Sequence, residues 1–339
     1  VDNCPGLFNE YQFDGNGDGV GDACDPGLYF EQVVGSPISE LDVLFVIDDS
    51  GSMADEQVVL TQSISTFFDV LRADGPLPSL HIGVTSTNMG GLENFNCENG
   101  GDDGRLINTP RVNVGCSGPS DLWISDEGDG TTVNYPEPSL EGAFACIAEL
   151  GIQGCGFEQP LAAAERALGH EANAGFLREG AALAIVVFSD EDDCSADTAM
   201  YQGAVCDDFL DPTSCALGLQ NSYRCFEFGV VCDPDEPRTP TGDGEELLGC
   251  TSRTDSPYMP SPGSIIENIR AYRPGRLITA SFAGPVSPVT VSTTTLLNPS
   301  DGMNLDYVRL DPSCASGAGE AAPGIRLYDF AKADGSPDT

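Results

Sequence analysis

The chain has 339 residues, enough to bury a full core. Its 14 Lys and Arg residues face 54 Asp and Glu residues, a formal net charge of −40, which argues against nucleic acid or an anionic membrane surface as a partner. Thirteen cysteines with only two histidines show no zinc-ligand spacing and indicate disulfides formed in an oxidising place.

Residues 1–26 are a small separate element, rich in Asp and Gly, with Cys4 and Cys24 near its ends. Its oxygen donors follow the spacing of a calcium loop. They are Asp14, Asn16, Asp18, Val20 through its carbonyl, Asp22 and Asp25. The two cysteines are a candidate disulfide, because so small an element has almost no apolar core. The segment resembles a thrombospondin type 3 repeat, and the resemblance implies bound Ca²⁺.

The first strand of the following domain leads directly into a cluster of oxygen ligands. Residues 43–47 are a continuous apolar run, typical of a strand buried on both faces of a parallel sheet. Asp48, Ser50 and Ser52 follow in a D-x-S-x-S pattern, at the strand end where open α/β sheets place ligands. A carboxylate and two hydroxyls suit Mg²⁺. The alternative is a helix N-cap, because residues 54–73 have the apolar spacing of an amphipathic helix.

This pattern resembles the metal-ion-dependent adhesion site of von Willebrand factor A (VWA) domains, over about residues 41–285. The resemblance implies an α/β fold with a Rossmann-like, doubly wound, mostly parallel sheet. It also implies a late aspartate, matched by Asp190 after the apolar strand 182–188, and a threonine whose place Glu158 occupies here. The predicted adhesion site is thus Asp48, Ser50, Ser52, Glu158 and Asp190, holding Mg²⁺ or Ca²⁺.

Residues 27–339 are predicted to be one VWA-like domain with two disulfide-rich insertions, 88–138 and 192–262, and a C-terminal extension, 286–339. The remaining elements are strands at 80–86 and 277–283, helices at 139–150, 160–168, 264–270 and about 326–330, and irregular or paired edge strands at 286–313. Cys146 and Cys155 are close enough in sequence to be a predicted disulfide. The six cysteines of the second insertion are expected to pair with one another, and that insertion is expected to lie over the rim of the site.

The residues favour a binding protein over an enzyme. The chain has no G-x-S-x-G elbow, no phosphate loop and only His81 and His170 as histidines. We therefore expect an extracellular or cell-surface adhesion protein, which binds a protein ligand through the metal. The alternative is a structural subunit of a calcium-stabilised filament or surface layer, which self-associates through divalent cations. No apolar run approaches the roughly 20 residues that span a bilayer, so no transmembrane segment is predicted.

Overall fold

The computed structural model describes residues 38–73, 75–90, 101–112, 115–197, 200, 222–233, 245–273, 276–297, 304–316 and 319–332. The chain divides into two compact units, Val1–Pro37 and Ile38–Thr339, and every described residue belongs to the second. The predicted calcium repeat, with its ligands and with Cys4 and Cys24, lies outside the described residues.

The second unit has a mixed α/β architecture. Its strands, in chain order, are β1 (Glu40–Ile47), β2 (Ser79–Ser86), β3 (Ile124–Asp126), β4 (Ala182–Phe188), β5 (Val230–Asp233), β6 (Glu245–Ser252), β7 (Leu277–Phe282), β8 (Val289–Leu297), β9 (Asn304–Leu310), β10 (Cys314–Ala315) and β11 (Glu320–Ala321). Its helices are α1 (Ala54–Ala73), α2 (Leu140–Ala148), α3 (Pro160–Gly169), α4 (Ser222–Gly229), α5 (Pro262–Tyr272) and α6 (Ile325–Lys332).

The central sheet has five strands in the order β3-β2-β1-β4-β7. Strands β2, β1, β4 and β7 are parallel, and the short edge strand β3 pairs antiparallel with β2. β1 is the middle strand, and its apolar residues are buried along its whole length after Glu40. The predicted mostly parallel sheet is confirmed, because a run of apolar residues without alternation can be satisfied only where both faces are covered.

Helices cover both faces of the central sheet. On one face, Phe45 of β1 packs against Phe67 of α1 and Phe144 of α2, with ring centroids 5.8 and 4.7 Å apart. On the other face, Leu44 and Val46 belong to a core cluster that includes side chains of α3, α5 and α6. The predicted helix 54–73 coincides with α1, because its apolar residues recur at the spacing that faces the sheet.

The insertion and the C-terminal extension are not separate appendages. Strands β5 and β6 from the insertion pair with β8 and β9 from the extension in an antiparallel sheet of order β5-β6-β8-β9. This sheet has its own apolar cluster, which includes Phe226, Val230, Val289 and Val291. The extension also returns to the central core, because Leu327 and Phe330 of α6 are fully buried there. The C-terminal extension therefore contributes side chains to the core, in addition to the predicted core of about residues 41–285.

Three disulfides join described cysteines: Cys116–Cys146, Cys194–Cys225 and Cys232–Cys250. The last two lie inside the second insertion, as predicted. The predicted Cys146–Cys155 bond is wrong, because Cys146 bonds to Cys116 across a sequence separation of 30 residues. Cys155 is disulfide-bonded to a different cysteine. Cys146 is buried in α2. Its bond to Cys116 therefore attaches the first insertion to this helix.

None of the helices in the described part of the chain is long and apolar enough to span a bilayer. The disulfides indicate a protein that folds in an oxidising compartment, as secreted and extracellular proteins do.

Candidate metal centre

The register of the central sheet brings three loops to one edge. Ile47, the last residue of β1, lies beside Ser86 at the end of β2 and beside Phe188 at the end of β4. The amide of Asp48 donates to the carbonyl of Phe188 at 2.9 Å. The residues that follow these strands therefore meet at the carboxyl edge of the sheet, where parallel α/β proteins bind ligands.

Asp48 is the fully buried centre of this cluster. Its Oδ1 accepts a hydrogen bond from the Ser50 amide at 2.8 Å, and its Oδ2 accepts one from the Ser189 hydroxyl at 2.6 Å. Burial raises the pKa of Asp48 to about 6, against the lowering effect of these bonds, and the charge of Glu191 raises it further. The carboxylate is thus held in place by neutral donors, and no basic side chain among the described residues pairs with it.

The two serines of the D-x-S-x-S pattern lie together at the surface end of the cluster. Their hydroxyl oxygens are 3.2 Å apart. Ser50 is buried, whereas Gly51 and Ser52 are exposed. This is the open side of the site, from which a ligand could approach.

Asp190 follows β4 and completes the cluster from a second loop. Burial, together with the charges of Asp48 and Glu56, raises its pKa to about 7, against the lowering effect of the Ser52 hydroxyl. Its Oδ1 is buried and has no hydrogen-bond partner in the described part of the chain. Its carbonyl accepts the amide of Ala322 at 2.8 Å, so the residues before α6 cover this side of the site.

Glu158 enters from a third loop, immediately before α3. The Gln159 amide donates to the Thr87 carbonyl at 3.1 Å, and the Cys194 amide donates to the Glu158 carbonyl at 2.9 Å. The Glu158 side chain is 2 % exposed. Burial, followed by the charges of Glu191 and Asp48, raises its pKa well above the usual value. The structure therefore brings all five predicted ligands to one edge of the sheet.

The cluster has the chemistry of a cation site. Several buried carboxylates repel one another, and a divalent ion with oxygen ligands would relieve this repulsion. A cation or a water would also supply a partner for the buried Asp190 Oδ1. Among the described residues no group of three or more His, Cys, Asp and Glu side chains is arranged closely enough to hold a metal ion, and this includes Asp48, Glu158 and Asp190.

Thr87 is a residue of this edge that sequence reasoning missed. It follows Ser86, which pairs with Ile47, so it lies at the same edge of the sheet as the loop that begins with Asp48. It is fully buried, and its Oγ1 has no hydrogen-bond partner among the described residues. The resemblance implies a threonine at the position of Glu158, and the structure supplies a hydroxyl from the neighbouring strand. The sequence signal was a polar Thr-Ser-Thr run, residues 85–87, at the end of an apolar strand.

Gln57 was missed as well, because a glutamine in the first turns of a helix is ordinarily solvated. Here it is 3 % exposed. Its Nε2 donates to the Asp48 carbonyl at 2.7 Å and to the Gly151 carbonyl at 2.9 Å, and its Oε1 accepts the Gly151 amide at 3.0 Å. Gln57 therefore joins the first ligand loop to the loop that leads to Glu158.

Asp192 and Asp193, which follow Asp190 in the chain, contact different parts of the protein. Asp192 accepts hydrogen bonds from the amides of Arg326 and Leu327 at 3.0 and 3.1 Å, which caps the first turn of α6. Asp193 accepts the amide of Leu161 in α3 and pairs with the buried guanidinium of Arg326 at 2.8 Å. These two acids connect helices on one face of the sheet to the loop that carries Asp190, so their role is structural.

A comparison with known protein families found no matching family model, and a comparison with curated proteins found no matching sequence.

Proposed function

We propose that this chain is an extracellular binding protein whose VWA-like domain holds a divalent cation at Asp48, Ser50, Ser52, Glu158 and Asp190. One observation supports it above the others: buried carboxylates from three loops converge at the carboxyl edge of a parallel sheet, and no described basic side chain pairs with them. Mg²⁺ or Ca²⁺ fits the all-oxygen ligand set. The N-terminal segment would be a thrombospondin type 3-like repeat that binds Ca²⁺ through Asp14, Asn16, Asp18, Val20, Asp22 and Asp25.

The exposure of the site favours binding over catalysis. Asp48, Glu158 and Asp190 are each less than 10 % exposed, whereas Gly51 and Ser52 form an open side. A cation held by the buried carboxylates would keep a position toward that side for a carboxylate oxygen of a partner protein. Within the described residues neither His81 nor His170 contacts the cluster, so no histidine base stands beside the ion for proton transfer.

Calorimetric titration of the purified protein tests the proposal, with Mg²⁺ alone and then with a capped hexapeptide that has one Asp among five Asn residues. We expect one metal per VWA-like domain, and peptide binding only when metal is present. Ser50→Ala with Ser52→Ala should weaken metal binding at least tenfold. Glu267→Gln is the matched control, because Glu267 is an exposed acid of α5 that pairs with Arg270 away from the centre.

The wild-type protein must bind metal for the proposal to stand, and a variant without Ser50 and Ser52 hydroxyls that binds it equally well would contradict the ligand assignment. Electron microscopy with and without chelator separates adhesion from assembly. Filaments that form with Ca²⁺ and dissolve in chelator would favour the structural subunit instead.

A further inference from the structure

A cleft beside the candidate metal centre contains two of the chain's few cationic side chains. It has a volume of about 340 Å³ and is lined by residues of the segment 102–111 and by Leu122. Arg105 and Arg111 are both among the lining residues. The chain has only 14 Lys and Arg residues against 54 acidic ones. One acidic residue, Asp102, also lines the cleft.

Arg111 connects this cleft to the first ligand loop. One of its Nη atoms lies 3.4 Å from Oδ2 of Asp49, and the other donates to Oδ1 of Asp102 at 2.5 Å. Asp102 also accepts the Ser86 hydroxyl at 2.5 Å. Because Asp49 directly follows Asp48, Arg111 connects the cleft to the loop that carries the first predicted metal ligand.

Arg105 has a fixed backbone and an unpaired side chain. Its amide donates to the Asp102 carbonyl at 2.9 Å, and its carbonyl accepts the Thr85 hydroxyl at 3.1 Å. Its side chain is exposed, and its guanidinium has no ion pair or hydrogen bond in the part of the chain that the structure describes. Within an acidic protein, an arginine held beside a cleft without a carboxylate partner is available for an external anion.

The wall of the cleft is built on the sheet itself. The Ile107 amide donates to the Val84 carbonyl of β2 at 2.8 Å, and the Leu106 amide donates to Oδ1 of the buried Asn173 at 3.0 Å. Leu106 and Ile107 are 2 and 7 % exposed. The arginines therefore stand on a rigid segment, and a bound group would not have to order a loop before it could contact them.

We infer that this cleft receives a second carboxylate of an acidic peptide segment of a partner protein, while a first carboxylate of the same segment binds the metal. The inference rests on the proposed function for the first carboxylate and on Arg105 for the second, because Arg111 is already paired with Asp49 and Asp102. The net charge of −40 repels an acidic partner elsewhere. The metal and Arg105 are thus the local counter-charges that direct such a segment to this edge of the domain.

Fluorescence anisotropy with two capped peptides, hexa-aspartate and the hexapeptide with one Asp among five Asn residues, tests this inference at saturating Mg²⁺. Arg105→Gln should weaken hexa-aspartate binding about fivefold, a value typical of a partly exposed ion pair, and should leave the single-Asp peptide unchanged. Arg105→Lys should restore part of the loss. Arg270→Gln is the matched control, because Arg270 is paired with Glu267 on α5, and this variant should bind both peptides like wild type.

The outcomes separate the cleft from the metal centre. Equal binding of hexa-aspartate by Arg105→Gln and wild type, or no binding of hexa-aspartate by wild type, overturns the inference. If the single-Asp peptide does not bind but hexa-aspartate still depends on Arg105, the proposed function fails while the anionic cleft stands.

Discussion

The hydroxyl of Ser189 donates a 2.6 Å hydrogen bond to Oδ2 of Asp48, although the two residues are 141 positions apart in the chain. This bond joins the ends of β1 and β4 and lowers the pKa of a carboxyl group that burial otherwise raises. It fixes one carboxylate oxygen of Asp48, while the other accepts the Ser50 amide. The two bonds therefore orient the Asp48 carboxylate from both of its oxygens.

Removal of this hydrogen bond should weaken metal binding. Ser189→Ala should lower Mg²⁺ affinity several-fold, because Asp48 would lose the contact that orients it and would more often be protonated. The free energy of unfolding should fall by about 1 kcal/mol, typical of one buried hydrogen bond. Calorimetry at pH 6 and pH 8 checks this, and the loss of affinity should be larger at pH 6. A variant with wild-type affinity at both pH values would show that the bond does not position Asp48.

Thr87→Val should weaken metal binding without destabilising the metal-free protein. In metal-free protein the buried Thr87 hydroxyl has no partner among the described residues, so an isosteric methyl group should leave stability unchanged or increase it. If the hydroxyl faces the ion or its water, metal affinity should fall by about tenfold. Urea denaturation in chelator and calorimetry with Mg²⁺ measure the two effects, and Thr87→Ser should behave like wild type. Stability lost in chelator would mean that the hydroxyl has a structural partner.

Asp190 and Asp192 are two residues apart but should differ in their roles. Asp190→Asn should reduce metal affinity at least tenfold and should not destabilise metal-free protein, because it removes one of several mutually repelling charges. Asp192→Ala should retain metal affinity and lose about 1 kcal/mol of stability, as expected for a lost cap on α6. Denaturation and metal titration of both variants test this, and a reversal of the two phenotypes would contradict the assignment.

The metal-free protein should become less stable as pH rises. The pKa values of Asp48 and Asp190 are raised to about 6 and 7, above the value near 4 expected in the unfolded chain. The folded state therefore binds more protons than the unfolded state, and this contribution to stability is complete below pH 4 and is lost as pH rises through about 6 to 7.

Saturating Mg²⁺ should weaken or reverse this dependence, because the ion binds the deprotonated groups. Urea denaturation at pH 5 and pH 7.5, with and without metal, is the measurement. Asp190→Asn should show a shallower dependence in metal-free protein. If wild type and this variant share one slope, Asp190 does not have a raised pKa.

Chelation should affect residues 1–26 before it affects the rest of the chain. Asp14, Asp18, Asp22 and Asp25 carry four formal negative charges, and little apolar sequence offsets the cost of ordering this segment, on the order of 1–2 kcal/mol per residue. We therefore expect faster hydrogen exchange of these residues in excess chelator, while the central sheet stays protected. Equal exchange of residues 1–26 with Ca²⁺ and with chelator would show that the segment is not a calcium module.

The local elements of the second unit could be predicted from the sequence. The apolar strands 43–47 and 182–188 and the amphipathic helix 54–73 occur within a residue or a few residues of the predicted positions. The helix has the spacing of an amphipathic helix, and the two strands are short apolar runs rich in β-branched residues. The D-x-S-x-S pattern could also be recognised from the sequence, because it lies within five consecutive positions of the chain.

Tertiary structure alone decided which distant residues meet. The register of β1 with β2 brings the loops that begin at Asp48 and Thr87 to the same edge. The Cys116–Cys146 bond replaces the shorter pairing predicted from sequence, and β6 of the insertion pairs with β8 of the extension. Local sequence cannot specify such contacts, because strand register and cysteine pairing depend on which surfaces are buried together once the chain has folded. The strands and the first ligands were therefore determined by sequence, whereas the shape of the site was determined by the way the strands pack.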